Sequence, residues 1–256
     1  MATPDVLDFQ ALLTPVPGEN PAGEDLRRDL SSESIFRQIR TLRSQAREAE
    51  RQAAYDDEVS SESLVPMWRP IQKLSLEALS TRSKDLEVVA FLTEALVREH
   101  GFAGLRDGFR LARELIESFW DDLYPRPEED EEVIEEESVD LRLAQLAALF
   151  GQEGEGVLAW PLHRIPITQG TVGAFNPADY KVAQSIEAIS DPDQRAERIQ
   201  EPGAVTKQMF QAAVAETPAE WFRNLRDDVA ACREEFDRLS RAMEARCGEN
   251  EMGHSL

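Results

Sequence analysis

The chain has 256 residues, of which 41% are hydrophobic and 30% are charged, a composition that is ordinary for a folded protein with a real core. Lys and Arg total 28 against 50 Asp and Glu, and the resulting formal charge of −22 disfavours nucleic acid as a partner, because phosphate backbones are bound through Lys and Arg. No segment reaches the roughly 20 consecutive apolar residues of a membrane-spanning helix, and no secretory signal is visible, so we expect a cytoplasmic protein without membrane insertion.

Two amphipathic helices are predicted in the first part of the chain. A glycine-containing loop at residues 18–25 precedes the first of them, whose apolar residues recur at three- and four-residue spacing from Ile35 onward. Ser31 or Ser32 is placed to cap this helix. A second helix is expected near Trp68, since the proline two residues later suits a first helical turn.

The next two helices are predicted to meet at a glycine. Ser83 is placed to cap the first of them, and Asp85 and Glu87 fall in its first turn, where negative charge complements the helix dipole. Gly101 is typical of the residue that follows a helix C-terminus. Helical spacing of apolar residues resumes directly after it and continues to Phe119, which indicates a further helix.

An acidic run is predicted to divide the chain into two helical regions. Residues 128–137 hold eight acidic side chains, and like charges at this density are typical of a solvated linker. The division gives an N-terminal helical region at 1–127 and a second helical region at 138–256. In the second region, Ser138 is placed to cap a short helix that stops at Gly151.

The second region also contains an extended segment and a long helix. Residues 160–167 are apolar and interrupted by two prolines, which predicts an extended segment packed across a helical surface. Asn176 and Pro177 have the pattern of a helix start. Residues 217–220 form a capping-box pattern that begins a long helix with an apolar seam from Phe222 to Met243. That seam fits either docking on the chain's own domain or a homo-oligomer formed through the C-terminal helix. The predicted fold is therefore all-α, a multi-helix bundle with an extended proline-interrupted segment and a long C-terminal helix.

The sequence lacks the motifs that mark common catalytic and cofactor sites. It contains no HExxH, CxxC pair, GxGxxG after a strand or P-loop pattern, and its cysteines and histidines are scattered. We therefore predict no catalytic residue, no cofactor and no metal. The enzymatic alternative is a hydrolase that uses Asp121 or Asp122 together with His163.

Three runs of residues carry a resemblance to a known family. The first lies at residues 18–27, the second comprises Trp68 and the turn at 82–86, and the third begins at 101–105 and closes at 119–125. In this order and spacing they resemble the ImpA N-terminal family, which is found in TssA proteins of bacterial type VI secretion systems. The family-motif residues are Gly23, Asp25, Leu26, Arg27, Trp68, Ser83, Lys84, Asp85, Leu86, Gly104, Trp120, Tyr124 and Pro125.

The resemblance implies a role in assembly and no reaction. TssA-like proteins are cytoplasmic scaffolds that engage baseplate, tube and sheath components and help to organise polymerisation of the contractile tail. The resemblance therefore predicts a non-enzymatic subunit whose partners are proteins of the secretion apparatus. The alternative is an acidic helical adaptor or chaperone that is unrelated to secretion.

We also expect the glycine-containing loop to dock against the turn that precedes the third predicted helix, for example through Arg27 and Asp85. This docking would fix the helices around Trp68 and Trp120. An exposed ion pair of this kind contributes about 0–1 kcal/mol, so we expect it to set geometry more than stability.

Overall fold

The fold is all-α, as predicted. A computed structural model describes residues 2–53, 61–127, 135–151 and 156–247, and within these ranges it holds helices, short 3₁₀ turns and isolated β-bridges but no sheet. None of the helices in these ranges is both long and apolar enough to cross a membrane. The helices, in chain order, are α1 (Phe9–Leu13), α2 (Ile35–Ala53), α3 (Ser61–Leu64), α4 (Arg69–Thr81), α5 (Leu86–Phe119), α6 (Glu135–Phe150), α7 (Ala159–Leu162), α8 (Pro177–Glu187), α9 (Pro192–Ile199), α10 (Lys207–Glu216) and α11 (Ala219–Cys247).

Helix α5 turns back on itself at Gly101, whose φ of 56° lies in the left-handed region that favours glycine. The two halves then run side by side. A β-carbon on Gly104 would lie 2.3 Å from the Leu96 carbonyl oxygen, and one on Gly108 would lie 2.5 Å from the Thr93 hydroxyl oxygen. Glycine at these two positions therefore permits the close contact between the halves. The prediction of two helices that meet at Gly101 is confirmed.

The long C-terminal helix docks on its own chain. Phe109 of α5, Phe150 of α6 and Phe236 of α11 form a triangle, with ring centroids 5.0 to 5.6 Å apart. Helix α11 packs along α5 over this stretch. The seam residues that it buries there are Cys232, Leu239 and Met243. A homo-oligomer through this helix stays a prediction.

Side chains from both sides of the acidic run share one hydrophobic core. Leu115 of α5 and Leu146 of α6, for example, belong to the same buried cluster. Residues 128–134 lie outside the described ranges, and the rest of the predicted linker, residues 135–137, belongs to α6. The division of the chain at this run stays a prediction.

The starts of α2 and α6 differ from their predicted positions. Helix α2 begins at Ile35, so that Ser34, and neither Ser31 nor Ser32, lies at its start. The Ser34 hydroxyl accepts the Arg37 N–H at 3.5 Å. Helix α6 begins at Glu135, three residues before Ser138, which was expected to cap it.

The predicted capping box at the start of α11 is wrong. The Thr217 hydroxyl accepts the Gln169 N–H at 2.8 Å and lies 2.7 Å from the carbonyl oxygens of Gln169 and Ala213. A tertiary contact therefore occupies the group that was expected to cap the helix, and α11 begins at Ala219. At the start of α8, by contrast, Asn176 forms the predicted cap.

The proline-interrupted segment is only partly extended. Residues Ala159–Leu162 form α7, because Pro161 lies in a first helical turn, where a backbone N–H is not needed. The extended prediction is wrong for these residues. It is also wrong for residues 163–165, which form a turn and a bend. Only residues 166 and 167 lie outside helix and turn, and the N–H groups of Ile167 and Thr168 donate to the Phe175 carbonyl at 2.8 and 3.2 Å.

Helices α9 and α10 have no counterpart among the predictions. The Asp191 side chain caps α9 by accepting the N–H groups of Asp193 and Gln194, and Thr206 caps α10 by accepting the Met209 N–H. No side chain of α9 is buried, so the helix lacks the apolar stripe that reveals a helix in a sequence.

We expect Gly104→Ala to lower the free energy of unfolding by about 1–3 kcal/mol, because the added methyl group would overlap the Leu96 backbone. Urea denaturation followed by circular dichroism measures this change. Ser118→Ala, on the exposed surface of the same helix, is the control and should change stability by less than about 0.5 kcal/mol. Equal stability of the two variants would contradict the close packing of the helix halves.

Candidate functional site

Three segments that are distant in the chain meet at the start of α5. They are residues 22–27, 82–87 and 123–125, and backbone hydrogen bonds and isolated β-bridges join them. We call this place the Asp85 junction. Most of the family-motif residues lie in it: Gly23, Asp25, Leu26, Arg27, Ser83, Lys84, Asp85, Leu86, Tyr124 and Pro125.

The first two segments pair through their backbones. The Lys84 N–H donates to the Ala22 carbonyl at 2.7 Å, and the Glu24 N–H donates to the Arg82 carbonyl at 3.0 Å. Gly23 lies between these bonds with a φ of +83°, and a β-carbon there would lie 2.0 Å from the Arg82 carbonyl oxygen. This position therefore needs glycine both for its backbone conformation and for space.

The third segment, residues 123–125, forms backbone hydrogen bonds with the segment 82–87 on the side away from residues 22–27. The Tyr124 N–H donates to the Lys84 carbonyl at 3.0 Å, and the Leu86 N–H donates to the Tyr124 carbonyl at 2.9 Å. The Tyr124 hydroxyl donates to the Gly23 carbonyl at 3.3 Å. Pro125 follows through a cis peptide bond and is buried. The turn is thus held between the loop and the end of α5.

Asp85 is the central side chain of the junction. Its Oδ1 accepts the N–H groups of Glu87 at 2.9 Å and Val88 at 3.3 Å, which caps α5. Arg27 donates to Asp85 Oδ2 at 2.6 Å and to Glu87 Oε2 at 2.5 Å. Burial alone would lower the pKa of Arg27, but these two carboxylates raise that pKa above its ordinary value. Arg27 therefore remains a cation that joins the loop to the helix start.

The predicted contact between Arg27 and Asp85 is confirmed, but the expectation of an exposed pair is wrong. Asp85 is 0% exposed, and the Arg27 side chain is 27% exposed. Removing one partner of a buried pair costs about 3–5 kcal/mol, so this contact sets stability as well as geometry. The predicted cap at Ser83 is also wrong. That side chain is buried, and within the described ranges its hydroxyl has no hydrogen-bond partner.

Lys84 is buried beside Asp85 but faces the other way. Its Nζ donates to the carbonyls of Leu12 and Leu79, each at 2.7 Å, and lies 5.8 Å from the Phe119 ring centroid. Burial lowers the pKa of Lys84 to about 8. The side chain connects α1 and the end of α4 to the junction.

Trp68 does not lie in the junction. Its indole N–H donates to Glu50 Oε1 at 2.9 Å, and the Arg98 guanidinium stacks on its ring at 3.6 Å. Arg98 also binds both Glu50 oxygens, at 2.6 and 2.8 Å. The contacts that hold Trp68 therefore come from α2 and α5, and the expected link to the loop is not direct. Gly104 lies between the two halves of α5, as described above.

Trp120 lies next to the junction, at the end of α5. It is half-buried, with the guanidinium groups of Arg142 and Arg246 at 4.9 and 5.3 Å from its ring. Arg142 also donates to the Trp120 carbonyl at 2.8 Å. These contacts join α6 and the end of α11 to the end of α5.

The residues of the hydrolase alternative are not brought together. Asp121 is exposed, and Asp122 forms an ion pair with Arg126 at 2.8 Å. The His163 ring bonds instead to the Ala159 carbonyl, with 2.9 Å between Nδ1 and the oxygen. Within the described ranges, no group of three or more His, Cys, Asp or Glu residues has the arrangement of a metal site.

Comparison with known proteins places the whole junction inside a family match. Residues 13–151, more than half of the chain, match the family described as ImpA, N-terminal, type VI secretion system. The chain belongs to this family. The type VI secretion system component TssA1 of Pseudomonas aeruginosa is 35% identical over 127 residues, which are 50% of this chain and 34% of that protein. The chain thus spans about a third of the length of this ImpA-family relative.

A solved structure extends the likeness to most of the chain. It is the N-terminal domain, including the conserved ImpA_N region, of the TssA component of the type VI secretion system from Burkholderia cenocepacia. The TM-score is 0.71 at 27% identity, and the alignment covers 94% of this chain and 84% of that one. The fold beyond residue 151 is therefore also similar to that of a TssA N-terminal domain.

We expect Asp85→Ala to lower the free energy of unfolding by about 3–5 kcal/mol, because it leaves Arg27 without its buried partner and removes the cap of α5. Asp85→Asn retains an acceptor for the cap and should lose less. The control is Arg82→Ala, which breaks the exposed ion pair with Glu24 in the same loop contact and should cost at most about 1 kcal/mol. Chemical denaturation that gives equal losses for Asp85→Ala and Arg82→Ala would contradict the central place of Asp85.

Lys84 should make stability rise with pH above about 8. Between pH 8 and the ordinary lysine pKa of 10.5, the folded chain holds Lys84 neutral while the unfolded chain still binds the proton. The free energy of unfolding of the wild type, relative to Lys84→Met, should therefore increase by up to about 1.4 kcal/mol per pH unit in this range. Urea denaturation of both proteins across the range tests this. If the difference in unfolding free energy between wild type and Lys84→Met did not change with pH, burial would not lower the pKa of Lys84.

Proposed function

We propose that the chain is a non-enzymatic assembly subunit of a bacterial type VI secretion system. The observation that carries this proposal is the family match over residues 13–151, which includes the Asp85 junction. The TssA proteins among its relatives are named as components of that system. In this proposal the chain acts in the cytoplasm by binding other proteins of the apparatus, and no reaction is involved.

The partners that we propose are baseplate, tube or sheath proteins, engaged while the contractile tail is assembled. The junction supports this role because it joins α1, α4 and both ends of α5 into one framework, and a scaffold must present its surfaces in a fixed arrangement. The net charge of −22 favours encounter with basic surfaces over roughly a Debye length.

Deletion of the gene in a strain that expresses the secretion system tests the proposal. We expect the deletion to abolish release of the tube protein and assembly of fluorescent sheaths, because the scaffold that organises the tail is missing. The wild-type gene should restore both. Affinity capture with the intact protein should recover baseplate, tube or sheath proteins.

Two controls make the result specific. Arg82→Ala removes an exposed ion pair and should restore secretion. Asp85→Ala should not restore secretion, because its loss of stability depletes the folded protein. Normal tube release in the deletion strain, with the system active, would contradict the proposed function.

A further inference from the structure

A groove lies beside the corner of α5, away from the Asp85 junction. Its larger part is a cavity of about 470 Å³, a volume within the range of ligand pockets in proteins. The corner of α5, the proline-interrupted segment and the start of α11 each contribute apolar side chains to it. Those side chains include Val97, Phe102, Trp160, Ile165, Trp221 and Leu225.

A second cavity, of about 190 Å³, adjoins the first. Both cavities are lined by Glu50, Arg98 and Trp160. We call the two cavities together the Trp160 groove. Trp160 and Trp221 are both half-buried, and both line the larger cavity.

Rigid parts of the fold form the walls of this groove. Gly101, at the corner of α5, packs so closely on Ile165 that a β-carbon there would lie 3.1 Å from the Ile165 Cγ2. Another wall is the ion pair of Arg98 with Glu50, whose side chains are 6% and 9% exposed. The groove therefore does not require a rearrangement of the helices to form.

The carboxylates that line the groove have partners within the chain. Glu99 pairs with Arg69 at 2.8 Å, and Asp228 lies 3.7 Å from the Arg106 guanidinium and also accepts the Thr3 N–H at 2.7 Å. Glu50 is paired as described above. The negative charge at the groove is thus already balanced by groups of the same chain.

Two cations at the groove lack a direct partner of this kind. The Glu94 carboxylate attracts one of them, Arg47, but Glu94 is itself paired with Arg43. Arg164 lies over the Trp160 ring at 5.1 Å, and Arg47 lines the smaller cavity. Within the described ranges, neither side chain forms an ion pair with a carboxylate. Arg47 is half-buried, and this burial lowers its pKa because it removes water from around the charge. In a chain with 22 more acidic than basic side chains, two such cations beside an apolar groove favour carboxylates from another molecule.

We propose that the Trp160 groove binds a segment of another protein in which a large aliphatic or aromatic side chain is flanked by Asp or Glu. The apolar side chain fills the larger cavity beside Trp160 and Trp221, and the flanking carboxylates pair with Arg164 and Arg47. Tryptophan and arginine carry much of the binding energy at protein interfaces, especially around a pocket that excludes water. The inference rests on the proposed function in one respect, that the partner is a protein.

Selection of random phage-displayed peptides on the purified full chain tests the groove directly. We expect enriched peptides to contain Leu, Phe or Trp flanked by acidic residues. Their affinity, measured by fluorescence anisotropy with synthetic peptides, should fall at least about tenfold for Trp160→Ala and for Arg164→Glu. The charge reversal Arg198→Glu on α9, at a residue that lines neither cavity, should leave affinity unchanged. Thermal melts of each variant verify that it is folded.

Several results would overturn the proposed binding of an acidic, apolar segment in the Trp160 groove. Enrichment of basic or uncharged peptides, binding that survives Trp160→Ala in a folded variant, or no enrichment at all would each contradict it. In the deletion strain, rescue of tube release by both Trp160→Ala and Arg164→Glu would contradict the groove while the proposed function stands. A deletion that leaves tube release normal would instead contradict the proposed function.

Discussion

The carboxylate of Asp85 is buried at the point where α5 begins. A buried charge is stable only where other groups replace the water that it has lost, and here those groups are the Arg27 guanidinium and two backbone N–H groups of the helix start. Because Arg27 belongs to a loop about sixty residues earlier in the chain, the same contact that satisfies the carboxylate also fixes the loop. Local capping and tertiary docking are thus one interaction.

Neighbouring residues extend this constraint to the rest of the N-terminal helices. Lys84 donates to carbonyls in α1 and α4, and Tyr124 brings the far end of α5 back to its start. The return of α5 depends in turn on Gly101 and Gly104, which allow the reversal and the close contact of its halves. The surfaces of this ImpA N-terminal family member are therefore positioned by a few buried polar and glycine residues, while the apolar core supplies most of the packing.

Helical periodicity in the sequence predicts α2, α4, both halves of α5, α6, α8 and α11. It misses α1, although Phe9 and Leu12 of that short helix are buried. It does not predict α9, which buries no side chain, and it places the cap of α5 at Ser83 instead of Asp85. The cap is misplaced because residues 83–85 pair with two distant segments, and single-sequence patterns carry no information about such pairing. The same limit hides the burial of Asp85 and the separation of Trp68 from the junction.

The Trp160 groove was equally inaccessible to sequence reasoning. Its two tryptophans, and its two arginines that form no ion pair among the described residues, come from α2, the proline-interrupted segment and the start of α11. Only the fold brings them together. Trp160 lies in the segment that is predicted to pack across a helical surface, and the available signal was that Trp221 belongs to no predicted apolar stripe. Such residues are candidates for interfaces, because aromatic side chains are enriched there.

Native-state hydrogen exchange tests most directly whether the junction is the rigid centre of the fold. The backbone N–H groups of Lys84, Leu86 and Tyr124 are all donors in the junction. If the account is correct, they exchange only through global unfolding, with the same free energy of opening as the N–H of the buried residue Leu92 in the first half of α5. Exchange of these three groups through a local opening, several kcal/mol below that of Leu92, would show that the loop is only loosely attached and would contradict the account.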